Sequence, residues 1–274
     1  MLYLYFEPSG GLNDILCTII KLKEYCEKFN RILLVNFIKS EYKVDADNYF
    51  DLDDPIIIFN KTQIFQIVNN PDNTIYPKEF QQHRNEILNN ETFKCIKINR
   101  DFYLNNILLH LPNNDICENI IIFRGNDGGS AGYKLFQQLK IKSNVIDMCK
   151  YRYNLLKKPY VSIQVRNTDY KCDYQTHFEE NKECINSFND IHIATDDIGC
   201  IDFYKNQNIM FKNFTTFPNN KYPNLHYSKL DPHIKFIDLL CDIYLISMAD
   251  KIISNSKGGF INLCRSLHKN NITC

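Results

Sequence analysis

Three apolar runs in the second half of the chain are each followed at once by polar and charged residues. Residues 161–165 precede Arg166, residues 191–194 precede Thr195, Asp196 and Asp197, and residues 251–253 precede Ser254, Asn255, Ser256, Lys257, Gly258 and Gly259. Ligands of parallel α/β sheets bind beyond the carboxyl ends of the strands. If the three runs are neighbouring strands, we expect the residues that follow them to converge on one site.

Arg166 is the first candidate for ligand binding. An arginine donates two parallel hydrogen bonds to a phosphate while it counters the charge, and no other side chain does so in a fixed plane. The alternative is a structural ion pair with Asp169, which the spacing of the two residues allows equally well. The residue types alone leave both interpretations open.

The polar loop at residues 254–259 precedes a predicted helix. The free N–H groups and the dipole at a helix N-terminus attract anions. Gly258 and Gly259 allow a ligand to approach the backbone closely. The loop therefore predicts a phosphate site, and simple helix capping by Ser254 or Ser256 is the alternative.

Asp238 and Asp242 lie one turn apart in an otherwise apolar predicted helix, residues 234–249. A buried carboxylate needs partners, and the edge of a guanine base offers two parallel N–H donors that match one carboxylate. Pairing with a lysine, or capping of a neighbouring helix, is the alternative for both aspartates. For Asp196 and Asp197 we favour an N-cap of the next helix over a metal-binding pair.

A turn near the N-terminus contains Gly10, Gly11, Asn13 and Asp14. It matches neither the dinucleotide-binding pattern nor the P-loop pattern. The chain has no G-x-S-x-G motif, and none of its seven histidines, His192 among them, stands in a recognisable Ser/His or Cys/His context. Hydrolase chemistry is therefore not indicated.

The composition excludes some classes of partner. The 274 residues include 32 Lys+Arg and 32 Asp+Glu, so no net charge attracts nucleic acid or an anionic membrane. The 11 cysteines show no C-x-x-C pair and no zinc-type spacing, which predicts free thiols in a reducing cytosol. The sequence shows no signal peptide and no run of about 18 apolar residues. We therefore expect a cytoplasmic protein with no membrane span.

Short apolar runs alternate with segments of helical periodicity, a pattern typical of α/β proteins with parallel sheets. The first half predicts a βαβ unit, with strands at 2–6 and 31–37 around a helix at 12–29. The second half predicts strands at 161–165, 191–195, 209–212 and 251–254 and helices at 197–206, 234–249 and 259–267. We predict two Rossmann-like domains, residues 1–157 and 158–274.

Taken in order, these segments resemble the fucosyltransferase superfamily that includes the α1,2-, α1,6- and protein O-fucosyltransferases. SGGLNDIL resembles the glycine-Asn loop of that superfamily, VSIQVRNTDY its His-Val-Arg-Arg-Thr-Asp strand and IHIATDD its Leu-Ala-Thr-Asp-Asp strand. LLCDIYLISMADKIISNS resembles its Asp-Ile-x-x-Leu-Ser-x-Ala-Asp helix with the serine-rich loop that follows. The matches touch both halves of the chain, and their order and spacing make the resemblance fairly specific.

The resemblance implies a GT-B fold, in which two Rossmann-like domains have a cleft between them. It implies an inverting glycosyltransferase that uses GDP-fucose and a glycan or glycoconjugate acceptor, with no metal and no other cofactor. The first domain would form the acceptor side, and the second would bind the nucleotide sugar. The short chain resembles soluble bacterial or viral-type members of the superfamily.

Carried over to this chain, the resemblance assigns Arg166 to the β-phosphate and the departing GDP, and Asp242 to the guanine edge. Gly10, Gly11 and Asn13 would lie near the phosphates and the sugar. The other donor-binding residues that it implies are Gln164, Ser254, Asn255, Ser256, Lys257 and Gly258.

Three departures from the family pattern leave alternatives open. Gln164 replaces the family's histidine, Asn167 replaces its second arginine, and Lys257 continues the serine-rich loop. A transferase that uses another nucleotide sugar, or a catalytically degenerate binding protein, are therefore the alternatives. Asp14 and Glu7 are the candidates for the base that deprotonates the acceptor, and we take Asp14 as the catalytic one.

Overall fold

The computed structural model describes residues 1–89, 95–98, 101–104, 106–167, 171–219, 225 and 228–270. Asp169, the alternative partner of Arg166, lies outside the described residues. The chain forms two compact units, Met1–Lys140 and Ile141–Cys274.

The described part of the first unit consists of strands, four α-helices and short 3-10 turns. Its helices are α1 (Leu12–Phe29), α2 (Lys61–Asn69), α3 (Arg84–Asn89) and α4 (Gly132–Phe136). Its strands are β1 (Leu2–Pro8), β2 (Arg31–Val35), β3 (Phe50–Asp51), β4 (Ile57–Ile58), β5 (Ile75–Tyr76), β6 (Cys95–Ile98), β7 (Asp101–Leu104), β8 (Ile107–Leu109) and β9 (Ile120–Gly125). A further short strand, β10 (Lys140–Ile141), lies at the boundary of the two units.

The main sheet of the first unit has the strand order β4-β2-β1-β9-β5, and every neighbouring pair is parallel. Its central strands consist mostly of buried apolar residues, as expected for parallel strands. Ile64 and Val68 of α2 and Ile87 of α3 belong to the core cluster that contains Tyr5 and Ile122 of the sheet. The strands β6, β7 and β8 form a separate antiparallel sheet.

The second unit has a smaller parallel sheet. Its strands are β11 (Tyr160–Val165), β12 (Asp190–Thr195) and β13 (Lys251–Ser254). Its helices are α5 (Ser143–Asn154), α6 (Tyr174–Asn186), α7 (Ile198–Asn206), α8 (Pro232–Ser247) and α9 (Gly259–Lys269). The strand order is β12-β11-β13, so β11 is central, and all six of its residues are buried.

The structure confirms the predicted α/β class with parallel sheets. Among the differences from the sequence prediction are β2, which ends at Val35, and helix α6, which the sequence analysis does not predict. Two others concern residues 209–212 and the unit boundary. Residues 209–212 do not form a strand, and Lys212 makes only an isolated bridge to His192. Helix α5 belongs to the second unit because it packs on α8, where Cys149 and Cys241 meet with their sulfurs 3.4 Å apart. The unit boundary therefore lies at residue 140, whereas the sequence predicts residue 157.

The nine cysteines whose side chains the structure describes are free thiols, as the sequence predicts. Burial raises the pKa of Cys26 and of Cys200 to about 12, which keeps these thiols protonated and unreactive. None of the helices in the described ranges has both the length and the apolar character that a membrane crossing requires.

Candidate active site

The ends of the three strands of the second unit lie side by side. Gln164 of β11 is in register with Ala194 of β12 and with Ser254 of β13. Arg166 and Asn255 follow these strands at the same edge of the sheet. The structure therefore brings together the strand ends that the sequence singled out.

Arg166 is anchored through its backbone by Asn255. The Arg166 N–H donates to Asn255 Oδ1 at 3.1 Å, and Asn255 Nδ2 donates to the Arg166 carbonyl oxygen at 3.0 Å. This reciprocal pair fixes the point at which the arginine leaves β11. Arg166 is partly exposed, so it is not enclosed in the core of the unit.

The guanidinium of Arg166 lies against Gly258. A Cβ atom on Gly258 would fall 2.7 Å from Arg166 Nη1 and 3.2 Å from Ser256 Oγ. Because Gly258 has no side chain, the guanidinium has room at this position. Gly258 is also the N-cap of α9, so the contact places a cation beside the first turn of that helix.

A chain of hydrogen bonds holds the loop that follows β13. Ser254 Oγ donates to Gln164 Oε1 at 2.6 Å and accepts from the N–H of Ser256 at 3.0 Å. Ser256 Oγ in turn accepts from the N–H of Gly258 at 3.0 Å. Gln164 and Ser256 are buried, so the chain is shielded from water and gives the loop a defined shape.

The first turn of α9 has no side-chain cap from the part of the chain that the structure describes. Ser256 bonds to the N–H of the N-cap residue Gly258, and Ser254 bonds to the N–H of Ser256. Neither serine therefore takes an N–H of the first helical turn, as simple capping requires. With Arg166 beside this turn and the exposed Lys257 preceding it, the arrangement suits an anion such as phosphate.

Asn167 and Asp197 connect the end of β11 to the start of α7. Asp197 is the N-cap of α7 and accepts from the Gly199 N–H at 2.9 Å, as the sequence predicts. Its Oδ2 accepts from the Tyr174 hydroxyl and, at 2.5 Å, from Asn167 Nδ2. Burial acts to raise the pKa of Asp197, but these hydrogen bonds outweigh burial and hold the pKa below its usual range. Asn167 is therefore a structural link.

The metal-binding alternative concerns Asp196 and Asp197. Asp197, one of the two aspartates considered for it, already caps a helix. Within the ranges that the structure describes, no group of three or more His, Cys, Asp and Glu side chains has the arrangement of a metal site.

Asp238 and Asp242 have different partners although they share one face of α8. Asp238 Oδ1 accepts from Arg152 Nη2 at 2.6 Å, and its Oδ2 accepts from the Thr216 N–H at 2.7 Å. Asp242 Oδ2 accepts from the Thr215 hydroxyl at 3.2 Å, and its Oδ1 has no hydrogen-bond partner among the described residues. Asp238 therefore has a structural role with an arginine, where the sequence suggested a lysine, whereas Asp242 Oδ1 is a buried acceptor that no described N–H group satisfies.

Asp242 also faces a buried histidine that the sequence analysis did not connect with it. Asp242 Oδ1 lies 3.5 Å from His192 Nε2, and His192 Nδ1 lies 2.9 Å from Ser162 Oγ. Ser162 and His192 are paired residues of β11 and β12, and both are completely buried. No substrate reaches Ser162 inside the sheet, so this row of Ser, His and Asp is not a nucleophilic triad. The pairing of two predicted strands is the sequence signal that connects Ser162 with His192.

In the first unit, the turn after β1 uses the conformational freedom of glycine. Gly10 has a φ of +90°, and Gly11 is the N-cap of α1. Asn13 is buried and donates through Nδ2 to the Gly129 carbonyl oxygen at 2.8 Å, while its Oδ1 has no partner among the described atoms. Asp14 is partly exposed in the first turn of α1. Asp14 is thus the acidic residue of this turn that solvent reaches.

Glu7, the other candidate base, is completely buried near the end of β1. Its Oε2 accepts from Arg124 Nη1 at 3.1 Å, and its Oε1 accepts from the Tyr5 hydroxyl at 3.4 Å. Burial is the main cause that raises the pKa of Glu7, and the charge of Arg124 offsets part of that effect. Because both carboxyl oxygens are engaged and buried, the geometry does not favour Glu7 as a base for a bound acceptor.

The fold is similar to that of solved fucosyltransferase structures. No protein-family model and no curated protein sequence matches the chain. Among solved structures, the fucosyltransferase NodZ from Bradyrhizobium matches with a TM-score of 0.60 at 14% identity, covering 97% of this chain and 92% of NodZ. POFUT1 in complex with GDP-fucose matches with a TM-score of 0.58 at 11% identity, covering 97% of this chain and 93% of POFUT1. A variant of Arabidopsis thaliana FUT1 in complex with GDP matches with a TM-score of 0.50 at 12% identity, covering 98% and 69%.

These likenesses confirm the predicted resemblance to fucosyltransferases at the level of the fold. The chain has the GT-B fold class, which is built from two Rossmann-like domains. At identities of 11% to 14% the likeness concerns the fold, so the activity has to be argued from the residues of this chain.

Proposed function

We propose that the protein is an inverting glycosyltransferase that moves fucose from GDP-fucose to a hydroxyl group of a glycan without a metal ion. The observation that carries the proposal is the Arg166 guanidinium against Gly258 at the N-cap of α9. The cation and the helix N-terminus are two sources of positive potential for a diphosphate. The likeness in fold to fucosyltransferases whose structures contain GDP or GDP-fucose supports the same donor.

In the proposed reaction, the bond between the anomeric carbon of fucose and the β-phosphate oxygen breaks, and GDP leaves with the bonding electrons. The acceptor oxygen forms the new bond from the opposite face, which inverts the configuration, and its proton passes to a base. Negative charge grows on the diphosphate as the bond breaks. Arg166 and the N–H groups of the first turn of α9 would stabilise this charge, the role that a metal ion has in metal-dependent transferases.

The loop after β13 has a supporting role in this proposal. Ser254 and Ser256 keep the loop in shape through their hydrogen bonds, so its backbone N–H groups are oriented before the donor binds. Asn255 fixes the backbone of Arg166. The exposed Lys257 would add positive charge near the diphosphate, where the family has a second arginine in another position.

Asp242 is the proposed partner of the guanine base. Its Oδ1 has no hydrogen-bond donor within the described residues, and its helix also carries Asp238, whose oxygens are both engaged. The N1–H and N2–H groups of guanine would donate to the Asp242 carboxylate in parallel. Uracil and thymine present no such pair of donors, so Asp242 would discriminate in favour of GDP.

The first unit has the acceptor side in this proposal. Asp14 is the proposed base, because it is the partly exposed acid of the turn in which Gly10 and Gly11 would let a ligand approach the backbone. Asn13 would position this turn through its bond to the Gly129 carbonyl. For the cell compartment we propose the cytosol, which the free thiols of the described cysteines support.

A different nucleotide sugar is the second candidate donor, and one observation favours it. Gln164 stands where the family has a histidine, and its Oε1 already accepts from Ser254. Thermal unfolding with GDP, UDP and dTDP separates the two candidates, because a ligand that binds only the folded state raises the melting temperature. Stabilisation by GDP alone supports a GDP-sugar as the donor. Stabilisation by UDP or dTDP alone would indicate a UDP- or dTDP-sugar instead.

The deciding experiment measures donor turnover and glycan transfer for Arg166→Ala and for Arg265→Ala. Arg265 is an exposed residue of the same helix α9, beyond its first turn, and serves as the matched control. Loss of one preorganised charge partner of the transition state lowers kcat by about 10²- to 10³-fold. We expect this loss for Arg166→Ala and none for Arg265→Ala. Near-normal transfer by Arg166→Ala would refute the mechanism.

Two further measurements test the remaining parts of the proposal. Transfer in the presence of a metal chelator should proceed at the rate measured without it, and a dependence on added divalent ions would remove metal independence. Release of GDP from GDP-fucose, with and without glycan acceptors, separates an enzyme from a binding protein. Tight GDP binding without any release would favour the catalytically degenerate protein.

A further inference from the structure

The first unit contains a cavity of about 360 Å³ beyond the carboxyl end of β2. Three segments line it: the residues that follow β2, the first turns of α2, and α3. The lining residues are Asn36, Ile38, Lys39, Ser40, Lys43, Lys61, Ile64, Phe65 and Leu88. The carboxyl ends of parallel strands are the usual place for ligands in such sheets, and the volume is enough for a monosaccharide.

The charged residues that line this cavity are all lysines: Lys39, Lys43 and Lys61. Lys43 and Lys61 are exposed, and neither has an ion pair with a carboxylate among the described residues. The chain as a whole has as many acidic as basic residues, so the concentration of positive charge is local. Such a cavity attracts an anion.

Lys39 carries a buried ammonium group. The residue is 9% exposed, and its Nζ has no hydrogen-bond partner within the described part of the chain. The nearby carboxylate of Glu7 is engaged by Arg124 and by the Tyr5 hydroxyl. A buried cation without a hydrogen bond is unfavourable. The charge of Glu7 offsets part of this cost, and an anion in the cavity would offset more of it.

The N-terminus of α2 adds to the positive electrostatic potential in the cavity. Lys61 is the first residue of α2, where the positive end of the helix dipole disfavours another cation. A bound anion would meet both the lysine and the positive helix end. The position of Lys61 is therefore explained by a ligand better than by helix stability.

One wall of the cavity is apolar. Ile38, Ile64, Phe65 and Leu88 line it, and Phe65 remains 38% exposed although it is a large aromatic residue. Ligand pockets commonly combine an apolar surface with a few placed charges. A sugar ring offers both an apolar C–H face and, when it is acidic, an anionic substituent. An inorganic anion would leave the apolar wall without a contact.

We propose that this cavity binds an acidic sugar of the acceptor glycan, with the anionic substituent at the three lysines and the sugar ring on the apolar wall. The anionic group is a carboxylate, a sulfate or a phosphate, because each is recognised by the same ammonium groups. The assignment to the acceptor rests on the proposed function, whereas binding of the acidic sugar does not.

Calorimetric titration of the full chain tests the binding directly. The probes are glucuronic acid, galactose 6-sulfate and galactose 6-phosphate, with neutral galactose and inorganic phosphate as comparisons. We expect at least one acidic sugar to bind, less tightly at high salt, and both comparisons to bind about tenfold more weakly or not at all. Equal binding of galactose would overturn the charge argument. Equal binding of inorganic phosphate would contradict a contact between the sugar ring and the apolar wall. If no acidic sugar binds, the whole proposal fails.

Two variants locate the site. Lys61→Gln changes an exposed residue and Lys39→Met replaces a buried cation by an apolar chain of similar length, so we expect both proteins to fold. Each should bind the acidic sugar about tenfold more weakly. Lys134→Gln on α4 is the matched control, because Lys134 is exposed and does not line the cavity. Unchanged binding by both cavity variants would place the sugar elsewhere.

A transfer assay then distinguishes this inference from the proposed function. If acidic sugars bind through the lysines but no fucose is transferred, the cavity assignment stands and the proposed function fails. If fucose is transferred equally to neutral and acidic acceptors, and Lys61→Gln changes neither rate, the proposed function stands and the acceptor assignment fails. We expect Lys61→Gln to raise KM for an acidic acceptor about tenfold with little change in kcat.

Discussion

The Arg166 guanidinium occupies space that any side chain on Gly258 would take, since a Cβ atom there would lie 2.7 Å from Nη1. Two residues that are far apart in the chain are thus fitted to each other at the N-cap of α9. The φ of Gly258 is −71°, which every residue can adopt, so backbone conformation is not the reason for glycine here. The reason is the room that the guanidinium needs.

Gly258→Ala should therefore lower transfer while the protein remains folded. The added methyl group displaces the end of a flexible side chain, and a misplacement of about 1 Å at a reacting group can cost about 10²-fold in rate. We expect a loss of that order in kcat, measured as fucose transfer, with the melting temperature nearly unchanged. The control is the double variant with Arg166→Ala. There, Gly258→Ala should add little, because its effect acts through Arg166. Independent, additive losses would contradict this coupling.

The two aspartates of α8 should respond differently to substitution. Asp238→Ala leaves the Arg152 guanidinium without its partner at 2.6 Å, and breaking a buried pair costs about 3 kcal/mol or more of unfolding free energy. Asp242→Asn keeps the shape but sets an amide N–H group against a guanine N–H donor. We expect GDP to bind roughly 10- to 100-fold more weakly, and UDP binding to stay the same. Denaturant unfolding and nucleotide titration measure the two effects, and equal losses of GDP and UDP binding would remove the guanine role.

The sequence predicts those elements whose patterns are local. Helix α1 has the predicted bounds, Leu12–Phe29, because an amphipathic repeat is bounded by Gly11 and by Asn30, which closes it in the left-handed conformation with φ 52°. Strands β11 and β12 are buried along nearly their whole length, and the apolar residues at the centre of β11, β12 and β13 are the signal that the sequence shows. Helix α6 is mostly polar and has only a few buried residues, so its periodicity is weak in the sequence.

The candidate site is predictable only in part. The residues that follow parallel strands, Arg166 and Ser254 among them, are visible in the sequence because strand ends mark ligand sites. The contact of Arg166 with Gly258 and the row from Ser162 through His192 to Asp242 depend on strand order and register, which no short motif records. The cavity lined by Lys39, Lys43 and Lys61 is formed by segments between residues 36 and 88. Its prediction therefore also requires the tertiary structure.

The two acidic residues near the N-terminal turn should have separable effects. Asp14→Asn should lower kcat about 10²-fold or more while GDP binding is unchanged, since a general base contributes about 10²- to 10⁴-fold. Because Asp14 is partly exposed, we expect the variant to fold, and thermal melting checks this point. Equal kcat values for Asp14→Asn and the wild type would exclude Asp14 as the base.

Glu7→Gln should instead change stability and its pH dependence. Burial raises the pKa of Glu7, so the folded state binds the proton more tightly than the unfolded state. The stability that this carboxyl contributes is therefore present below the unfolded pKa of about 4.3 and is lost as the pH rises through the folded value. We expect the wild type to gain unfolding free energy relative to Glu7→Gln as the pH falls from 7 towards 4.3. Denaturant unfolding at several pH values measures the difference, and a constant difference would contradict the assignment.

Lys39 should make stability depend on pH in the alkaline range. Burial lowers the pKa of Lys39 from 10.5 to about 8, against the opposing charge of Glu7 and with the help of Arg124. The unfolded state therefore binds the proton more tightly than the folded state, and unfolding free energy rises with pH between about 8 and 10.5. Tyr5, which bonds to Glu7, has a pKa raised well above 10 and stays neutral in this range.

Comparison with Lys39→Met isolates the contribution of Lys39 to the pH dependence of the unfolding free energy, because the other titratable groups are present in both proteins. Relative to the variant, the wild type should gain on the order of 3 kcal/mol of unfolding free energy between pH 8 and pH 10.5. Denaturant unfolding at a series of pH values measures the gain. Lys61→Gln is the matched control, since Lys61 is an exposed lysine of the same cavity and its removal should leave the pH profile close to that of the wild type. Parallel profiles for the wild type and Lys39→Met would mean that the Lys39 ammonium is paired in solution, and the cavity would then lack the buried cation that an acidic sugar is proposed to meet.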